Sequence, residues 1–159
     1  MQYYMGLDPG SKSGSIAIIS EDGKDYQVAC MGSSGKSIMT ARDISDLIQR
    51  LKPKTIKAYL EEVKNKPGEG GNSTWTFSGN YHHLEMALTS HKVRFEKVRP
   101  QVWQSYMRCR TGGDKNVSKK KAQEMFPEPV DIFTGNPVKI THSRADALLI
   151  AEYGRRFGK

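Results

Sequence analysis

Met5-Gly6-Leu7-Asp8-Pro9-Gly10-Ser11-Lys12-Ser13-Gly14-Ser15-Ile16-Ala17-Ile18-Ile19-Ser20 is the stretch whose reading decides the fold. An apolar run over residues 3–7 ends in a carboxylate, Asp8. Pro9-Gly10 then forces a turn, because Pro fixes φ and Gly admits φ > 0. A second apolar run follows at once, so the pattern is strand, tight turn, strand. Asp8 at the end of the first strand is held by a rigid sheet and faces the sheet's rim, a position suited to a metal ligand. Asp before Pro-Gly is also ordinary turn chemistry. The metal reading therefore depends on whether other acids fall at matching places.

Working outward, Asp22-Gly23 marks a hairpin and residues 26–31 a third strand, giving an antiparallel meander. Residues 32–35 form a loop. Gly35-Lys36-Ser37 looks like the end of a phosphate-binding loop, but that motif needs Gly where the chain has Cys30, which excludes ATP binding there. Thr40 caps a helix with the stripe Ile44, Leu47, Ile48, Leu51, and Pro53 closes it. Residues 56–63 form a fourth strand. A helix precedes it, so it can lie parallel to the first. A Gly/Pro-rich loop over 64–71 leads to Trp75, Phe77 and Tyr81 in polar surroundings, and then to a helix over 78–90. Residues 93–98 form a fifth strand, and Pro100 sits at the start of a short helix through Val102, Trp103 and Tyr106. Helical pattern resumes near residue 118 and runs to 126. A loop spans 127–137, and the last helix covers 142–157. There is no internal repeat and no linker, so the expectation is one α/β domain over 1–159: a five-stranded mixed sheet with helices on both faces.

The 159 residues allow a real core, burying roughly 70% of the unfolded chain's surface. No apolar run approaches the ~18 residues of a membrane span, and the N-terminus lacks a signal-peptide pattern. Cys30 and Cys109 are far apart with no C-x-x-C, which excludes a zinc or disulfide framework and fits a reducing cytoplasm. Twenty-five Lys and Arg against 17 Asp and Glu leave a net charge of +8, pointing to a polyanion, nucleic acid above all. The basic residues cluster over 94–121, with Arg108, Arg110, Lys115, Lys119, Lys120 and Lys121 around Gly112-Gly113, and again at Arg155, Arg156 and Lys159.

Three acids share a structural role. Asp8 ends the first strand; Glu61 or Glu62 lies in the fourth; Asp146 lies early in the last helix among Ala145, Ala147, Leu148 and Leu149. Glu61 and Glu62 point to opposite faces, and alternation alone does not choose between them. Adjacent parallel strands end at the same edge, and a helix packed on the sheet can bring Asp146 there. Three converging carboxylates repel one another unless cations join them. With two Mg²⁺ or Mn²⁺ about 3.5–4 Å apart they make a site for phosphodiester hydrolysis.

These residues resemble the RuvC family of Holliday-junction resolvases, within the RNase H-like superfamily. Met5-Gly6-Leu7-Asp8-Pro9-Gly10-Ser11 is similar to the family's first-strand motif, Tyr59-Leu60-Glu61-Glu62-Val63 to its acid-bearing strand, and Ser143-Arg144-Ala145-Asp146-Ala147-Leu148 to its final helix. The resemblance spans almost the whole chain and suggests a bacterial or phage member, at work in the bacterial cell or phage-infected host. It implies Glu61 as the catalytic glutamate and a homodimer, joined through the helix over 78–90. That dimer nicks symmetry-related strands of a four-way DNA junction with Mg²⁺ or Mn²⁺. It also implies a lysine near the scissile phosphate, for which Lys119 is the positional match and Lys120 and Lys121 are neighbours. The chain departs from the family in three places. Ser143 stands where a fourth ligand, Asp or His, is usual, and His142 is one position earlier on the same helix face. Lys64 stands where bacterial members carry a junction-opening aromatic, leaving Trp75, Phe77 or Tyr81 to stack on bases. Trp103 stands near an expected lysine. Lys12, Lys64, Trp75, Phe77 and the 108–121 cations are the expected DNA contacts.

Three other readings compete with this one. The first is a module of the same fold that binds branched DNA without cutting it. The second is a related nuclease acting on other branched or hybrid substrates. The third is a sugar-kinase-like phosphate loop at Asp8–Gly14, which needs two such domains and more chain than is present.

Overall fold

The computed structural model describes residues 1–10, 13–32, 39–64, 68, 70–110 and 112–158. Lys12, Lys159, the Gly35-Lys36-Ser37 triplet and half of the expected 64–71 loop lie outside the described residues. The elements run β1 (Tyr3–Asp8), β2 (Ser15–Ser20), β3 (Tyr26–Cys30), α1 (Ala41–Leu51), a 3₁₀ turn (Lys52–Lys54), β4 (Thr55–Glu61), α2 (Gly71–Ser90), β5 (Phe95–Val98), α3 (Pro100–Tyr106), α4 (Lys115–Met125), β6 (Val130–Asp131) and α5 (His142–Phe157). They build a mixed sheet in the order β5-β4-β1-β2-β3-β6. The β1–β2–β3 meander is antiparallel, while β4 joins β1 and β5 joins β4 in parallel.

Local chemistry accounts for most boundaries. Thr40 and Asp43 form a reciprocal capping box at the start of α1, satisfying two backbone donors that the first turn leaves unpaired. Pro100 occupies the first turn of α3, and Thr141 caps α5. Two expected elements start late in the sequence reading. The helix expected over 78–90 begins at Gly71, and the one expected near 118 begins at Lys115 behind the N-cap Asp114. Gly70 caps α2 without a side-chain hydrogen bond, so no capping residue marks its start. The five expected strands gain a sixth, the two-residue β6, inside the expected 127–137 loop.

Strand alternation splits the core into two layers. Ile16, Ile18, Met5, Leu7, Ala58 and Leu60 face α1 and α2, meeting Ile44, Leu47, Ile48, Leu84 and Leu88. Ala17, Ile19, Val28 and Tyr59 face α3, α4 and α5, meeting Trp103, Ala122, Phe126, Leu148 and Ile150. Gly6 belongs to the second face. A Cβ there would stand 2.2 Å from the Ala147 carbonyl oxygen, so only glycine lets α5 lie directly on β1. Cys109 is buried, its thiol pushed up to about 11 by burial and the nearby Asp146 charge; Cys30 is half-buried at the end of β3, and neither is in a disulfide.

Candidate active site

The sheet decides which glutamate joins Asp8. Leu7 pairs with Leu60 in the parallel β1–β4 ladder, so the next residues, Asp8 and Glu61, leave the same edge together. Glu61 shares a face with Tyr59, and Asp8 with Gly6, which is the face that α5 covers. Glu62 projects the other way, toward α2, and pairs with Arg99 at 3.5 Å. Asp146, in the second turn of α5, comes down onto the Asp8–Glu61 edge.

The three carboxylates perturb one another. Burial holds the Asp8 carboxyl well above its usual range, and the charges of Glu61 and Asp146 push it further, against the Ser143 hydroxyl and the Lys115 ammonium. Burial raises Glu61 to about 7; the Trp103 indole and Lys115 oppose this, and Asp146 adds to it. Asp146 is raised by burial, against Ser118, Lys115 and His142. Three acids driven toward their neutral forms on one sheet edge carry more negative charge than the single Lys115 ammonium offsets.

Asp8 and Glu61 each lean on a neutral donor from another element, Ser143 of α5 and Trp103 of α3. Ser15 lies opposite both Asp8 and Cys30 in the meander, and its Oγ is 2.7 Å from Ser143 Oγ and 3.6 Å from Cys30 Sγ. A consistent set of directions runs from the Cys30 thiol through Ser15 and Ser143 to Asp8. Trp103 Nε1–H donates to Glu61 Oε2 at 2.6 Å. Ser118 lies beside Asp146, and its hydroxyl proton goes to the Lys115 carbonyl at 3.1 Å. Asp146 Oδ1 is buried with no hydrogen-bond partner.

Among the described residues, no three His, Cys, Asp or Glu side chains form a ready-made metal cluster. The chemistry of the set still suits a divalent ion: hard oxygen ligands, excess negative charge and an orphaned buried carboxylate oxygen.

The remaining expected residues divide. Ser143, not His142, acts on Asp8; His142 Nδ1 lies 3.2 Å from the Lys115 carbonyl oxygen. Lys115 is the lysine whose charge reaches all three acids, while Lys119 is half-buried one turn further along α4. Arg108, Arg110 and Lys120 are exposed, and Lys121 is half-buried beside Cys109. Lys64 is exposed, and with Phe77, Tyr81 and His82 it lines an open groove between the end of β4 and α2. Tyr81 is 9% exposed under Lys97, so it is not free to stack on a base; Phe77 is partly buried, and Trp75 stands out at 82% exposure. Arg155 and Arg156 both bind buried Glu152, at the end of α5 far from Asp146. Ser15, Ser118 and Trp103 also stand beside the acids, outside the three acid-bearing motifs. Only Trp103 carried a signal, since a buried indole N–H requires an acceptor.

Comparison with solved structures fits this geometry. No family model matches the sequence, and no curated protein matches it significantly. Thermus thermophilus RuvC in complex with a Holliday junction substrate superposes with a TM-score of 0.66 at 12% identity, covering 99% of this chain and 98% of that one. The chain has a RuvC-like fold. A second Thermus thermophilus RuvC structure gives 0.62 at 16% identity, covering 99% and 97% of the two chains. The yeast mitochondrial Holliday junction resolvase gives 0.56 at 16% identity, covering 99% and 79%. RuvC-like architecture thus covers 99% of the chain, at 12–16% sequence identity.

Proposed function

We propose that this protein is a metal-dependent, structure-selective endonuclease that resolves four-way DNA junctions as a homodimer. The observation that carries the reading is the meeting of Asp8, Glu61 and Asp146, from β1, β4 and α5, beneath the basic helix α4 on a RuvC-like fold. Asp8, Glu61 and Asp146 would hold Mg²⁺ or Mn²⁺, two ions in the full site. Such ions supply an activated water and stabilise the leaving oxygen of a phosphodiester. The chain's own residues do the rest. Ser143 and Trp103 fix the orientation of Asp8 and Glu61. The Lys115 ammonium sits where it can meet the anionic scissile phosphate. Arg108, Arg110 and the α4 lysines hold the backbone on either side. The exposed α2 face, with Trp75 at 82%, Met86 at 66% and open space over Gly79, supports α2 as the dimer contact.

The test is cleavage of a mobile four-way junction with and without Mg²⁺ or Mn²⁺. Paired symmetric nicks that require the metal are expected. Ser143 in place of an acid, and the absence of a ready cluster among the described residues, favour a second reading: a module that binds branched DNA without cutting it. Tight junction binding with no nicking in either metal would establish that reading instead. A preference for forks or hybrids in the same substrate panel would indicate a related nuclease.

A further inference from the structure

We infer that Trp103 is a positioning residue for the metal site: its indole N–H clamps one oxygen of Glu61 and leaves the other to hold a divalent cation. The inference rests on the metal-dependent reading above and concerns how that site is tuned.

The geometry leaves the indole no freedom. Val98 pairs with Glu61 in the β4–β5 ladder, and α3 begins two residues later with Pro100 in its first turn. Trp103 is therefore delivered over the end of β4 by a short, stiff connection. Its ring is fully buried in the layer that holds Val98, Met107, Cys109, Ala122 and Phe126. An indole has one donor and no acceptor, and a buried donor without a partner is destabilising. Glu61 Oε2 is that partner, at 2.6 Å. Among the described residues no other hydrogen bond reaches Glu61, so Oε1 is uncommitted.

The neutrality of the donor matters as much as its position. An ammonium at this point would cancel the charge of Glu61 and compete with a divalent cation for it. An indole N–H orients the carboxylate and leaves its charge in place. Outer groups that orient a metal ligand in this way are commonly worth ten- to a hundredfold in metal affinity.

Two measurements test this. The chain has two tryptophans, so Trp75→Phe leaves Trp103 as the sole indole. In that protein without DNA, titration with MgCl₂ or MnCl₂ is expected to change the Trp103 emission saturably. The midpoint should match that of metal binding by calorimetry, and Glu61→Gln should abolish the change. In the wild-type background, Trp103→Phe keeps the ring and deletes the donor. It is expected to weaken Mn²⁺ binding by calorimetry about tenfold and to raise the Mg²⁺ needed for half-maximal cleavage by the same factor. Metal binding with a silent Trp103, or Mn²⁺ affinity unchanged in Trp103→Phe, overturns the inference and leaves the nuclease reading standing. No metal binding to the wild-type protein overturns both. Should Trp103→Phe fail to fold, the fluorescence titration still decides.

Discussion

Leu7 of β1 lies beside Leu60 of β4 in a parallel ladder, and this single register sends the carboxylates of Asp8 and Glu61 off the same sheet edge. One residue of slip would turn one of them to the opposite face, because side chains alternate along a strand.

Asp8→Asn removes one charge from the edge and keeps the shape. Junction cleavage should fall by roughly 100-fold or more, since metal ions at such sites supply several kcal/mol. Junction binding should persist or tighten. Gel-shift and single-turnover cleavage on one preparation check this, and cutting at the wild-type rate would refute the assignment.

Glu61 is raised from 4.5 to about 7, and Asp8 and Asp146 are raised as well. Between pH about 4.5 and 7 the unfolded chain releases the Glu61 proton while the folded chain retains it. The folded state then binds more protons, so stability falls as pH rises. In chelator, calorimetric Tm should drop across that window by about 2–4 °C for each kcal/mol lost. Glu61→Gln should flatten the drop. Mg²⁺ should restore Tm more at pH 8 than at pH 5, because only ionised carboxylates hold it. An equal Mg²⁺ effect at both pH values would count against the site.

Lys115 and Lys119 should separate. Lys115 reaches the three acids, so Lys115→Ala is expected to lower the single-turnover rate by roughly 100-fold. Lys119→Ala should act on binding, reducing the slope of log K against log salt by about 1. Cleavage rates measured at saturating enzyme distinguish the two, and an exchange of these effects would assign the catalytic lysine to position 119.

Met86→Glu places a charge on the exposed face of α2 without touching the core, since Met86 is 66% exposed. A dimer joined through α2 should dissociate to monomers in sedimentation velocity, with an unchanged circular dichroism spectrum. A dimer that survives the substitution uses another surface.

Gly6→Ala should destabilise the fold by about 1–3 kcal/mol, the usual range for overpacking. The added methyl meets the Ala147 carbonyl oxygen and the Ala151 nitrogen, which are backbone and cannot swing aside. Because α5 carries Asp146, metal affinity should fall along with the urea midpoint. A neutral result would mean that α5 does not lie directly on β1.

The sequence by itself determined what depends on near neighbours in the chain. Thr40 with Asp43 and Thr141 set two helix starts, Pro100 set a third, and the Ile16-Ala17-Ile18-Ile19 run set a two-faced strand. Dihedral preferences, caps and alternation act within a few residues, so the letters alone carry them. The start of α2 lacked such a signal, and β6 is too short to show a period. The choice of Glu61 over Glu62, of Ser143 over His142 beside Asp8, and of Trp103 as the partner of Glu61 belonged to the tertiary structure. Each choice turns on which face α5 and α3 cover and in which register β1 meets β4. Those contacts join residues scores of positions apart, where local preference has no reach and only packing decides.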